Sequence, residues 1–175
     1  MTESLFAFSP PDGFAPRIGF HFANFEERRR RLLGYVQGLS PTQLSWYPNP
    51  RAESIGTLLL HIAGVERSWI GEDIARRPMN FEEWKYAFAI RYGLPQITDQ
   101  PLQYYLDVLS RSRFETREIL NQLTDADLNR EVTPLDPDDP NAKRRFTCEW
   151  ILAHVAGHEA HHTGQIALMK RLLPL

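Results

Sequence analysis

Four long stretches of helical periodicity, separated by proline-rich connectors, constrain the fold of this chain most strongly. Apolar residues recur at steps of three or four, so each stretch can bury one face of a helix. No stretch shows the convincing alternation of apolar and polar residues that marks a half-buried strand. The pattern predicts an all-α protein, a four-helix bundle. The four stretches span about residues 17–39, 54–75, 100–123 and 147–173.

The connectors predict short additional helices and turns between the long helices. We expect Thr98 or Asp99 to cap the third long helix, with Pro101 in its first turn. The most loop-like stretch of the chain runs from Pro134 through Pro140 and contains three aspartates. We expect a cap followed by a short turn at residues 40–44, a short extra helix at 81–89 and one more short turn at 124–129.

Length and charge indicate one domain, residues 1–175, and narrow the range of partners. A chain of 175 residues with 42% hydrophobic content suffices for a single core. The net charge of -2, from 20 Lys and Arg against 22 Asp and Glu, gives no global basic field, so we expect no nucleic-acid partner. The run Arg28-Arg29-Arg30-Arg31 is interpreted as a solvated helix face.

The sequence also predicts a cytoplasmic protein that does not insert into a membrane. It contains no secretory apolar segment near its start, and no run approaches the eighteen or so apolar residues of a membrane span. The single cysteine, Cys148, excludes an internal disulfide framework, and we interpret it as a small packing residue.

Two histidines on the buried face of the last helix indicate a metal site. His158 and His162 are four positions apart, so both rings lie on one face of a helix. That face is the apolar stripe that includes Ile151, Val155 and Ile166, where unsatisfied imidazoles are costly. A lone histidine there would more often be a hydrogen-bonded core residue, but the pair favours metal binding.

His61 is the candidate third ligand, because it borders the buried stripe of the second long helix. Bundle sites usually draw their ligands from facing helices, and two histidines alone bind a divalent ion weakly. His154 and His161 are aimed less well at the core. Three protein ligands would leave positions open for water or substrate, as in catalytic sites.

The segment His158 to His162 also matches H-E-x-x-H, the metalloprotease signature in which the glutamate is the general base. The extended signature requires Gly and His where this chain has Gln165 and Leu168, and no ligand follows His162. We therefore disfavour a protease and interpret Glu159 as a surface residue or one that supports the ligands.

Three segments of the chain carry a family resemblance: LSPTQL at 39–44 with SIG at 54–56, LLHIAGVERSW at 59–69 and HVAGHEAHHTGQI at 154–166. In this order they resemble the DinB-like superfamily of metal-binding four-helix bundles, which includes the YfiT-like proteins and bacterial thiol-dependent transferases. By similarity, the family's three histidine ligands fall on His61, His158 and His162, whereas His154 and His161 match positions that do not bind metal.

The resemblance implies a homodimer with a divalent metal, zinc or nickel, and an activity that is most simply thiol-dependent S-transfer. A low-molecular-weight thiol would be activated at the metal and presented to a small electrophilic substrate. A hydrolase that activates water at the same site stays an alternative, as does a non-catalytic metal-binding dimer. No residue beyond the ligands is assigned a catalytic role. Four aromatic residues are candidates for a substrate pocket: Trp69, Trp84, Tyr86 and Trp150.

Overall fold

Four long helices form the bundle that the periodicity predicts. A computed structural model describes residues 7–134 and 144–174 of the chain. In chain order the elements are α1 Pro16–Val36, α2 Pro41–Ser45, α3 Ile55–Glu66 with a π-helical continuation Arg67–Ile74, α4 Phe81–Trp84 with a 3₁₀ turn Lys85–Phe88, α5 Leu102–Leu120, a 3₁₀ turn Asp125–Asn129, β1 Glu131–Val132, β2 Phe146–Thr147 and α6 Cys148–Leu172. The short elements lie in the three connectors where the sequence predicts a short helix or a turn, and the turn expected at 40–44 is the five-residue helix α2.

Side-chain caps define where several of these helices begin. Ser40 and Gln43 form a reciprocal capping box at α2, while Ser54 caps α3 and Thr147 caps α6. The predicted cap of α5 is wrong: Pro101 itself is the N-cap, and Asp99 lies before it in the left-handed region at φ 56°. The Asp99 amide donates to Ser45 Oγ, which holds Asp99 in the connector and out of the helix.

The second long helix changes its winding after Glu66. Its last part is π-helical, and the Ala75 amide donates to the carbonyl of Ile70 five residues earlier. The Arg67 guanidinium lies against the backbone at Gly71, where an added Cβ would fall 2.2 Å from Nη1. Periodicity alone predicts a regular helix here and misses this change.

A very short antiparallel ribbon joins the segment after α5 to the start of α6. Glu131 pairs with Thr147 and Val132 with Phe146. The sequence gives no sign of these strands, because two residues are too few to show alternation. The ribbon fixes the first turn of α6, where the Cys148 amide donates to the carbonyl of Arg130.

The bundle interior consists of two apolar halves with a charged layer between them. One half gathers residues such as Leu32, Leu59 and Ile166, and the other gathers Phe25 and Ile151. The layer contains one charged residue from each long helix, and all four are at most 9% exposed. These residues are Arg29, Glu66, Arg113 and Glu159.

Arg29 overturns part of the sequence interpretation. The run from Arg28 to Arg31 is predicted to be solvated throughout, but Arg29 is buried while Arg30 and Arg31 are exposed. The loop predicted over residues 134–140 falls, beyond Pro134, outside the described residues. No helix within 7–134 and 144–174 combines the length and apolar character needed to cross a membrane.

Candidate metal centre

The structure brings His61, His158 and His162 together at the interface of α3 and α6. Their closest ring nitrogens all lie within 4.8 Å of one another. His158 Nε2 lies 3.2 Å from His61 Nε2 and 3.0 Å from His162 Nε2. Within residues 7–134 and 144–174, no fourth His, Cys, Asp or Glu joins this group. The predicted triad is therefore one cluster in space.

Each helix positions its histidines by a local device. On α6, the four-residue spacing stacks His158 and His162 one turn apart. On α3, the missing side chain of Gly64 lets Ala87, in the 3₁₀ turn after α4, pack directly against the helix. A Cβ added at Gly64 would lie only 2.3 Å from Ala87 Cβ. That approach places the Ala87 carbonyl 2.9 Å from His61 Nδ1.

Hydrogen bonds made by the Nδ1 atoms set the tautomers of His61 and His162. His61 Nδ1–H donates to the Ala87 carbonyl, and His162 Nδ1–H donates to Gln165 Oε1 at 2.6 Å. Both rings therefore present the lone pair of Nε2 to the centre of the cluster. Partners of this kind fix the orientation of metal-binding histidines and raise their basicity. Sequence reasoning missed Ala87 and Gln165, although Gln165 follows His162 by one helical turn.

The convergence of the three Nε2 atoms fits a cation better than it fits hydrogen bonding. His158 Nε2 can carry one proton, so it can donate to His61 or to His162 but not to both. Metal–nitrogen distances of about 2.0–2.1 Å, with angles between ligands of about 90–110°, place nitrogens about 2.9–3.4 Å apart. The two contacts of His158 fall in that range. The residues present fit a divalent metal.

Burial and the neighbouring rings keep His158 and His162 neutral, which is the form of imidazole that binds metal. Burial, together with the neighbouring histidines, lowers the pKa of His158 to about 3. Burial likewise lowers the pKa of His162 to about 4, against the opposing effect of its bond to Gln165. Both rings are therefore neutral at pH 7, with lone pairs available to a cation.

The two remaining histidines of α6 stay out of the cluster, as their helical angles predict. His154 stacks on Trp150, with ring centroids 4.9 Å apart, and packs against Trp69. His161 is exposed and touches only the edge of the site, with its ring centroid 5.1 Å from that of His162.

Glu159 is buried, so the interpretation of it as a surface residue is wrong. It is 1% exposed and accepts hydrogen bonds from Arg29 Nε at 2.7 Å and Arg113 Nη2 at 2.8 Å. Glu66 bridges the same two guanidiniums from the other side, at 2.7 and 2.8 Å. This closed ring of four charges orients Glu159 into the bundle interior, which also excludes the protease interpretation.

A cleft of about 700 Å³ opens beside the cluster, with His61 and His158 on its wall. Of the four predicted pocket aromatics, Trp69 and Trp150 line it. Trp84 and Tyr86 do not, because Trp84 is buried in the core and Tyr86 packs against that core. Cys148 is fully buried among apolar residues, as predicted for a packing residue, and burial raises the pKa of its thiol.

The chain is similar to one known protein family. The sequence profile of the DinB superfamily matches residues 24–166. No curated protein sequence matches the chain.

Two solved structures share the fold at low sequence identity. A conserved protein from Enterococcus faecalis superposes with a TM-score of 0.65 at 17% identity, covering 87% of this chain and 94% of the other. YfiT from Bacillus subtilis superposes with a TM-score of 0.64 at 18% identity, covering 94% and 93%. YfiT is described as a probable metal-dependent hydrolase with an unusual four-helix bundle topology.

Proposed function

This chain belongs to the DinB superfamily, and we propose that it is a divalent-metal-dependent enzyme whose ligands are His61, His158 and His162. The observation that carries the proposal is the convergence of three Nε2 atoms, two of them held by Nδ1 hydrogen bonds that direct their lone pairs inward. Three protein ligands are typical of catalytic sites, which keep a position open for an exogenous ligand. Zinc and nickel are the proposed metals, since neutral imidazole suits both.

A divalent metal bound there would supply a Lewis acid that lowers the pKa of a thiol or water molecule. The surrounding residues would place such a nucleophile at the wall of the cleft. His61 and His158 face the cleft, while Trp69 and Trp150 provide apolar surface farther along it. The cleft volume lies within the range of small-molecule sites.

We propose thiol-dependent S-transfer as the reaction, with a low-molecular-weight thiol and a small electrophile as the two substrates. The thiol would release its proton to solvent, and its sulfur would bond to the electrophilic carbon as the leaving group departs with its electron pair. A cleft of about 700 Å³ that begins at the histidines has room for both molecules. The homodimer predicted from the resemblance stays a prediction.

Hydrolysis is the second candidate function, and the description of YfiT as a probable metal-dependent hydrolase favours it. The same cluster would then activate water, and the cleft would hold an ester or amide. A metal-binding bundle without either activity is the remaining alternative.

A paired assay separates these functions. Protein purified without a histidine tag and loaded with zinc or nickel would be tested for conjugation of L-cysteine to monochlorobimane and for hydrolysis of p-nitrophenyl acetate. We expect conjugation to exceed hydrolysis, and to fall to the uncatalysed rate in His61→Ala and His158→Ala. His161→Ala is the matched control, because its exposed ring lies outside the cluster. Full conjugation by both ligand variants would refute the proposal.

A further inference from the structure

The cleft continues away from the histidines as a long groove between two antiparallel helices. Contacts between α3 with its π-helical continuation and α6 run from the pair His61 and His158 to the pair Trp69 and Trp150. The residues of the first helix that line the groove share one face, since they are spaced by steps of one, three and four. They are His61, Val65, Ser68, Trp69, Glu72 and Asp73.

Stacked rings form the middle of this groove. Phe146 in β2 is followed at intervals of four residues by Trp150 and His154 at the start of α6, and successive ring centroids are 4.4 and 4.9 Å apart. Trp69 packs against Phe146 and His154 at 5.5 and 5.1 Å. We call these four residues the aromatic wall. It offers faces that attract flat, apolar groups and also cations.

Asp73 lines the groove beyond the aromatic wall. The residue is 7% exposed, and its carboxylate oxygens are still reached from the groove. No residue in the described parts of the chain forms a hydrogen bond or ion pair with it. A carboxylate that has lost most of its water and has no partner is costly, so a cationic ligand in the groove would stabilise it. Burial and the neighbouring Glu72, opposed by Arg76, raise the pKa of Asp73 to about 7.

Asp73 is too far from the histidines to take part in the chemistry. Twelve residues separate it from His61, which is up to roughly 18 Å at 1.5 Å per residue of helix. It would therefore recognise the distal end of a substrate whose reactive end lies at the cluster. Two arginines, Arg91 and Arg144, also line the groove, but both are exposed at its rim, where solvent weakens their field.

We infer that the electrophilic substrate is an elongated amphipathic amine, with an apolar or aromatic body on the aromatic wall and a protonated amino group that donates to the Asp73 carboxylate. This inference deepens the proposed function and rests on it. The carboxylate would gain the partner it lacks, and the amine would gain both a charge-assisted hydrogen bond and nearby aromatic faces.

Three probes with one carbon skeleton test the inference by calorimetry: 4-phenylbutylamine, 4-phenylbutan-1-ol and 4-phenylbutyrate. At about pH 8, where Asp73 is ionised, we expect the amine to bind at least about tenfold more tightly than the alcohol, and the carboxylate most weakly. Asp73→Asn should reduce the preference for the amine to less than about threefold. Glu118→Gln, which neutralises an exposed carboxylate of α5, should leave it unchanged.

Equal affinity for the three probes, tighter binding of the carboxylate, or an unchanged preference in Asp73→Asn would overturn the inference. Because the titrations are run in EDTA, they do not depend on the metal. A preference for the amine in a protein that never binds zinc or nickel would leave the amine site standing and remove the proposed function. Metal binding and conjugation without the preference would remove only the amine site.

Discussion

The Nε2 atoms of His61 and His158 lie 3.2 Å apart although 97 positions separate the two residues in the chain. The contact joins α3 to α6, so a metal bound by both would cross-link two helices of the bundle. The third histidine adds a second ligand from α6, one turn farther along. Changes to the supporting residues should therefore alter both metal affinity and the stability of the loaded protein.

Replacing Gln165 by Leu should weaken metal binding by about 10- to 100-fold, the usual cost of losing a partner of a metal-binding histidine. The variant removes the acceptor that holds His162 Nδ1–H, so the ring loses its fixed orientation. Competition titration with a fluorescent zinc chelator measures the change. Gln37→Leu, at an exposed position just after α1, is the matched control. Equal affinity in the two variants would show that Gln165 does not support the site.

Gly64→Ala should disturb the hydrogen bond between His61 and the Ala87 carbonyl. The new Cβ would lie 2.3 Å from Ala87 Cβ, so the 3₁₀ turn must shift and carry the Ala87 carbonyl away from His61 Nδ1. Overpacking of this kind costs about 1–3 kcal/mol, and we expect weaker zinc binding as well. Urea unfolding and chelator competition check both effects. Gly34→Ala, where nothing lies within 4 Å, should leave zinc binding unchanged and slightly stabilise α1.

Glu159→Ala should destabilise the protein by about 3–5 kcal/mol, because it leaves the buried guanidiniums of Arg29 and Arg113 short of a partner. A thermal melt of the metal-free protein should show a decrease in Tm of about 10 °C. Glu83→Ala breaks an ion pair with Arg111 whose side chains are both largely exposed, so its Tm should barely change. Loss of activity from Glu159→Ala with an unaltered Tm would contradict the structural role and revive a catalytic one.

Asp73→Asn should stabilise the protein increasingly as the pH rises. Folding raises the pKa of Asp73 from 3.8 to about 7. Below about pH 3 the carboxyl is protonated in both states and costs nothing, whereas above about pH 7 the folded state bears the full cost of the buried charge. The gain from the variant should grow from near zero at about pH 3 to a few kcal/mol at about pH 8. Urea unfolding at several pH values tests this, and a gain that does not vary with pH would contradict it.

The helices and the histidine triad are predictable from the sequence because both follow from helical periodicity. The spacing of His158 and His162 places them on the buried stripe of α6, and His61 borders the stripe of α3. Whether the two helices bring these faces together depends on tertiary packing, which no local pattern specifies. The contributions of Ala87 and Asp73 depend on that packing in the same way.

The charged layer is not predicted from the sequence, for a different reason. Arg29 follows Phe22 and Phe25 and precedes Leu32 at core spacing, so its position on the apolar stripe is visible in the sequence. Its membership of an arginine run favours solvent exposure instead. Glu159 is interpreted from its place in the H-E-x-x-H motif, between the two histidine ligands. The signal for such a layer is a charge on the core stripe of one helix together with a charge of opposite sign on the stripe of a neighbouring helix.

The three-histidine metal site is tested by the metal content of the protein purified without an affinity histidine tag. After dialysis against zinc or nickel and removal of free ion, we expect about one metal per chain in the wild-type protein and in His161→Ala. We expect far less than one in His61→Ala and His158→Ala, with the rise in Tm on metal addition lost in parallel. A wild-type protein that holds no stoichiometric metal and gains no thermal stability from either ion would refute the site, as would full occupancy in both ligand variants.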